Sequence, residues 1–227
     1  MLFILTVLAD FSLFMLLYRF MGKTGIFLWI AIATILANIQ VIKTTEILGY
    51  TFTLGNVLYG TTFLATDILS ELYSEKDARK AVLIGFFALV TMMMTMNLAL
   101  MVHPGANDLG HESLKRIFSI MPRITLGSLV AFIISQFHDV WAYNFWKKML
   151  PEYKFIFIRN NASTLVSQLI DSIIFVTIAF GGLYRSEILI QIILTTYLMK
   201  GLVALLDTGF IYLAVHWFRN GKVREQR

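Results

Sequence analysis

The chain has 227 residues, 58% of them apolar and only 15% charged, with a mean hydropathy of +0.73. Soluble domains are nearer a quarter charged, so a soluble globular fold is excluded. The absence of cysteine removes disulfides and thiolate metal sites, and the net charge of +5 is scattered among loops, which argues against a nucleic-acid surface.

Apolar runs of membrane-spanning length recur along the chain. Backbone groups in lipid must be satisfied internally, and no strand-like alternation is visible, so the expected fold class is all-α, a polytopic membrane helix bundle. Seven spans are predicted, over 2–20, 25–43, 53–72, 80–102, 122–142, 160–182 and 187–217. The first lacks a basic leader region and reads as a retained helix carrying Asp10. In the second, Trp29 reads as an interface anchor, and Asn38 and Gln40 precede Lys43. The fourth is rich in methionine (Met92, Met93, Met94, Met96, Met101), read as core filler. Pro104, Gly105, Asn107, Asp108 and Gly110 make a loop, and His103 and His111 are placed in it. Between spans five and six, two tryptophans with Lys147 and Lys148 suggest an interfacial segment. The seventh span is longer than a bilayer needs, and the tail RNGKVREQR is basic and solvated.

The organising stretch is GNVLYGTTFLATDILSELYSEKDARK, Gly55 to Lys80. Asp67 and Glu71 lie one helical turn apart on one face. A carboxylate at the centre of a membrane helix costs roughly 2.5–3.5 kcal/mol, more than packing alone explains. Gly55 and Gly60 are expected to loosen this helix so that its backbone also meets solute; a continuous helix would remove that idea.

Basic residues in alternate loops set the topology. One side holds five: Lys43, Lys115, Arg116, Arg123 and Arg185. The other holds thirteen, around Arg19 and Lys23, Lys76 to Lys80, Lys147 to Arg159, and the tail. The richer side is expected in the cytoplasm, with the N-terminus outside, the C-terminus inside and the whole in a cell inner membrane.

On a 3.6-residue wheel, Thr125, Ser128, Ser135 and Asp139 share one face of span five. Asn160, Thr164, Gln168 and Asp171 share one of span six, and Thr196, Lys200 and Asp207 one of span seven. Such faces should point inward. Lys200 is expected to pair with Asp207 or Asp171, and His138 beside Asp139 is a candidate proton relay. Phe63, Tyr59, Phe132 and Phe175 are candidates to stack on a ring. No zinc-binding spacing, P-loop or nucleophile elbow occurs, so neither metal nor cofactor is implied, and the chain does not read as an enzyme. A small solute with several hydrogen-bonding edges fits a polar core of this kind, bound near the midplane.

The stretch FLATDILSELYSEKDAR resembles the signature of the queuosine precursor transporters, also called the vitamin uptake transporter family. The likeness continues in RITLGSLVAFIISQFHDVWAYNFWKK, in RNNASTLVSQLIDSIIFVTIAF and at Lys200, covering roughly 35–212. Ser74 stands where the family usually has glycine. The resemblance implies one transporter domain over 1–227: a six-helix core over 25–217, an additional N-terminal helix over 1–20, and a basic tail over 218–227. It implies import of the 7-deazapurines 7-cyano-7-deazaguanine and 7-aminomethyl-7-deazaguanine, with queuine a further candidate, for tRNA modification. Positions matching the motif are Asn38, Lys43, Asp67, Glu71, Arg79, Arg123, Ser128, Gln136, Asp139, Arg159, Asn161, Ser163, Thr164, Gln168, Asp171 and Lys200. Of these, Asn38, Asp67, Gln136, Thr164, Gln168, Asp171 and Lys200 are expected at the solute. Lys43, Glu71, Arg79, Arg123, Asp139 and Arg159 are expected in gating or coupling. The implied partners are the base and the lipid bilayer, with protons as a candidate coupling ion and the oligomeric state open. The alternative is a substrate-binding subunit of an energy-coupling vitamin importer. A third reading is a structural membrane protein whose acids only hold the bundle together.

Overall fold

The computed structural model describes residues 2–41, 43–47, 50–118, 122–182 and 184–224. It is a membrane helix bundle. The elements are α1 (Leu2–Gln40), β1 (Thr44–Ile47), β2 (Tyr50–Thr53), α2 (Gly55–Leu72), α3 (Glu75–Met101), α4 (His111–Phe118), α5 (Pro122–Met149), a 3-10 turn (Tyr153–Phe155), α6 (Ile156–Phe180) and α7 (Ser186–Arg219).

The helix α1 is two predicted spans joined by a sharp turn. Gly22 sits at φ 55, ψ −136, a conformation open to glycine and closed to most side chains. Phe14 and Trp29, ~22 Å apart on a straight helix, have ring centroids 5.7 Å apart, so the two limbs fold back on each other. Trp29 is therefore no interface anchor. It is 6% exposed, and its indole N–H donates to Thr61 Oγ1 at 2.8 Å. The first limb is packed into the bundle, with Phe11 stacked on Phe210 at 4.8 Å.

The second limb ends at Gln40, short of the expected 43. A small antiparallel hairpin then pairs β1 with β2, in register Thr44↔Thr53 to Ile47↔Tyr50. Threonine, tyrosine and phenylalanine favour extended backbone there. The helix α2 is continuous, and 14 of its residues are buried, which overturns the expectation of a glycine-loosened helix. Its glycines instead permit close approach. A Cβ on Gly60 would lie 2.6 Å from Val203 Cγ1 of α7, and one on Gly55 would collide with backbone at Ala37 and Val41. Ser74, in place of the family glycine, has extended backbone at φ −148 and caps α3 by accepting from the Asp77 N–H at 3.1 Å.

Three further expectations are corrected. The helix α5 runs to Met149, so the expected interfacial segment is its last two turns and the 3-10 turn. Of the methionines on α3, Met92 is buried but Met94 and Met101 are 62% and 76% exposed, facing outward. His111 opens α4, where Leu114, Ile117 and Phe118 pack on Leu89 and Met92. Asp108 accepts from the Gly110 and His111 N–H groups at 2.8 and 2.9 Å, and these donors hold its carboxyl below the usual range.

Among the described residues, four helical stretches are long and apolar enough to cross a membrane: 5–40, 75–101, 153–180 and 186–219. The turn of α1, the α2–α3 junction, the α5–α6 loop and the end of α7 gather at one end of the bundle. Lys23 pairs with Asp77 at 3.4 Å, the Arg224 N–H donates to the Arg19 carbonyl at 3.0 Å, and Tyr73 meets Phe218 at 5.4 Å. This end carries twelve of the thirteen basic residues, and Arg227 lies outside the described residues.

Candidate functional site: three polar tiers

The helices α2, α5, α6 and α7 turn polar side chains towards one another in three tiers. Along α6 the tiers are marked by Arg159, Thr164 and Asp171. Seven residues from Thr164 to Asp171 span ~10.5 Å of axis.

The first tier closes the basic end. Arg159 is fully buried, and its guanidinium donates to Glu71 Oε1 at 2.8 Å and to the Leu150 carbonyl at 2.7 Å. Glu71 also accepts from the Tyr143 hydroxyl at 3.0 Å. Lys147 Nζ lies 2.5 Å from the Ser70 and Glu71 carbonyls, neutralising the negative end of α2. Asn144 donates to Ser70 Oγ at 3.1 Å.

The middle tier is acidic. Asp67, Asp139 and Asp207 are all wholly buried. Thr164 Oγ1 donates to Asp67 Oδ2 at 3.2 Å, and Asn160 Nδ2 donates to Asp207 Oδ1 at 2.7 Å. Asp139 lies beside Asp67 and Asp207. His138 Nδ1 lies 2.9 Å from Ser167 Oγ, beside this tier.

The third tier holds a buried ion pair. Lys200 Nζ donates to Asp171 Oδ2. Asp171 Oδ1 accepts from the Tyr59 hydroxyl at 2.6 Å and from Ser135 Oγ at 3.2 Å. Lys200 also lies over the Tyr59 ring, 5.0 Å from its centroid. Phe63 and Phe132 flank that ring at 5.5 and 6.0 Å. Gln136 bonds across to α2, donating to Thr62 Oγ1 at 2.6 Å and accepting from Thr66 at 3.3 Å. Gln168 is buried with its Oε1 unpaired.

Of the two partners expected for Lys200, Asp171 takes the lysine and Asp207 takes Asn160. Asp67 and Thr164, expected with the solute residues, group with Asp139 and Asp207. Asn38 turns back on its own helix, donating to the Thr34 carbonyl at 3.0 Å. Asn161 donates to Thr208 Oγ1 at 2.8 Å, tying α6 to α7, and Ser163 donates to the Asn160 carbonyl. Lys43 is exposed and Ser128 half-buried. The Thr125 side chain lies outside the described ones. Arg79 forms an exposed pair with Glu75 at 2.7 Å. Arg123 donates to the Ile178 and Gly181 carbonyls, capping the end of α6. Tyr143 and Asn144 join the site with no mark in the sequence pattern, and Tyr59, expected as a stacking ring, also donates to Asp171. The spacing of Asn144, five residues before the end of α5, carries no signal of its partner on α2.

A family model described as "Putative vitamin uptake transporter" matches residues 53–214. All three tiers fall inside that span. The chain belongs to the vitamin uptake transporter family. It is 44% identical over 207 residues, 91% of this chain and 90% of the relative, to a Bacillus subtilis (strain 168) protein named "Probable queuosine precursor transporter". A protein of the same name from Haemophilus influenzae (strain ATCC 51907 / DSM 11121 / KW20 / Rd) is 25% identical over 128 residues, 56% of this chain and 52% of that one. No solved structure matches. The chain is a multi-pass membrane transporter, not an enzyme.

Proposed function

We propose that this transporter imports 7-deazapurine precursors of queuosine, 7-cyano-7-deazaguanine and 7-aminomethyl-7-deazaguanine, into the cytoplasm. The observation that carries the reading is the buried Asp171–Lys200 pair against Tyr59, inside a chain 44% identical to a protein named for queuosine precursor transport. A guanine-like ring presents adjacent N–H donors on one edge, and one carboxylate accepts both. Lys200 and Tyr59 occupy those two acceptor positions on Asp171. The solute displaces them, and the freed ammonium turns to the ring carbonyl. Gln136 and Gln168 supply amides beside it, while Phe63 and Phe132 offer ring faces for stacking.

In this reading the chain is one transporter domain in a cell inner membrane, and the basic end faces the cytoplasm. The Glu71–Arg159 pair is the gate there, and the base crosses between the two ends by alternating access. The test uses a host unable to make or import the base. The protein is expressed, each base is supplied at low concentration, and queuosine is measured in tRNA. Restoration that disappears in an inserted Asp171→Asn variant supports the reading; no restoration by the inserted wild type overturns it.

A further inference from the structure

The middle tier has a chemistry of its own. Asp67, Asp139 and Asp207 present six carboxyl oxygens, and only two have a donor, from Thr164 and Asn160. Asp67 Oδ1, both Asp139 oxygens and Asp207 Oδ2 are buried without one. The neighbouring hydroxyls are engaged with other acceptors. Ser163 donates to the Asn160 carbonyl, Ser167 to the Ser163 carbonyl and Thr164 to Asp67. The Asn160 amide, itself fully buried, adds another unpaired acceptor, Oδ1, on the far side of its bond to Asp207. No lysine or arginine forms an ion pair with any of the three acids among the described residues.

A buried carboxylate with neither donor nor cation carries its full desolvation cost, and taking up a proton relieves it. A metal could supply the positive charge instead. Yet no group of three acids or histidines among the described residues is placed to hold one. We propose that Asp139, with Asp67 and Asp207, is a proton-binding site separate from the Asp171–Lys200 site, and that it couples solute movement to the proton gradient.

The surrounding charged groups fit that division. On the basic side, Glu71, Tyr143 and Arg159 are engaged with one another. On the other, Asp171, Lys200 and Tyr59 form a closed set. His138, half-buried and joined to Ser167, is the remaining titratable neighbour and the group through which a proton could enter.

The role as a coupling site rests on the proposed transport of 7-deazapurines; the proton site itself does not. Two measurements on the full chain in lipid vesicles therefore separate them. Infrared difference spectra between acid and alkaline buffer need no solute. A protonated-carboxyl band in the wild type, diminished in both Asp139→Asn and Asp207→Asn, is expected. Its absence from the wild type overturns the site. Uptake of 7-cyano-7-deazaguanine is then followed with an imposed pH gradient or an imposed sodium gradient. Accumulation several-fold above equilibrium with acid outside is expected in the wild type, while Asp139→Asn only equilibrates the base across the membrane. Accumulation that ignores the pH gradient, or follows sodium, overturns the coupling role. Vesicles that carry no 7-deazapurine overturn the function proposed above and leave the infrared result to decide the proton site.

Discussion

The tiers around Lys200 and around Asp139 are built by the same four helices, about two turns apart, and they are opposites. In the first, a buried carboxylate has a lysine, a phenol and a hydroxyl, and every charge is answered. In the second, three buried acids share two donors. The difference arises on α7, where Lys200 and Asp207 lie seven residues apart on one face. That spacing puts the base level with Asp171 and leaves the deeper acids without one. A satisfied ion pair resists change until a competing ligand arrives. A donor-poor acid cluster changes with the protons it holds. A transporter that binds solute and is driven by an ion needs both behaviours, kept at a distance that prevents one from cancelling the other.

The sharpest way to break the contrast is to remove one half of the ion pair. Asp171→Asn leaves Lys200 charged, buried and unpaired, and removing one partner of a buried pair costs about 3–5 kcal/mol. Asp171→Asn with Lys200→Met removes both charges and is expected to recover most of that loss. Thermal unfolding in detergent measures the recovery. Transport should be absent in both variants. A double variant that is stable and still transports would make the pair purely structural, which is the reading in which the acids only hold the bundle together.

A smaller effect is expected from wedging the helices that carry the ion pair. In Gly60→Ala the new methyl would meet Val203 at 2.6 Å. Overpacking of this kind costs typically ~1–3 kcal/mol. It pushes α2, with Tyr59, away from α7, with Lys200. Val203→Ala in the same chain should restore both stability and uptake, since it returns the volume that the methyl takes.

The long helices are legible in the sequence because lipid demands unbroken apolar runs, and the polar faces because such residues are penalised outside. The break at Gly22 is legible from the polar, glycine-containing stretch between two apolar runs. The hairpin after α1 is not, since two four-residue strands carry too little pattern. The end of α5 misleads because Trp146, Lys147 and Lys148 have the composition of an interfacial segment. Only the fold reveals that Lys147 reaches the carbonyls at the end of α2. For Lys200 the sequence offers two acids and no means of choosing. Asp207 shares its helix at a distance of ~10.5 Å along the axis, so the cross-helix acid is within easier reach. What no spacing could supply is the grouping of Asp67 with Asp139, which depends on how α2 and α5 meet.

In the acidic tier the sign should reverse. Asp139→Asn replaces an acceptor by a group that donates, and it donates where Asp67 has an unpaired oxygen. At alkaline pH, where the wild-type acid has given up its proton, that hydrogen bond is worth about 1 kcal/mol, so the variant should be slightly more stable than the wild type there, and the two should match at acid pH. A destabilised Asp139→Asn protein in thermal unfolding would mean that the tier is already balanced, and the contrast with the Lys200 tier would shrink.

The smallest effect is expected outside the tiers, at a residue that the family motif shares with them. Arg79 forms an exposed i,i+4 pair with Glu75 at 2.7 Å on the first turn of α3. Pairs of this kind are worth about 0.3–0.5 kcal/mol, because water screens the charges and both side chains lose freedom. Arg79→Gln should therefore leave stability and queuosine restoration within a few tenths of a kcal/mol and within twofold of the wild type. A large loss of uptake with normal stability would move Arg79 from the surface of the fold into the transport cycle. It would then act in a state where α3 and α2 sit differently, since in this one its guanidinium reaches only Glu75 among the described residues.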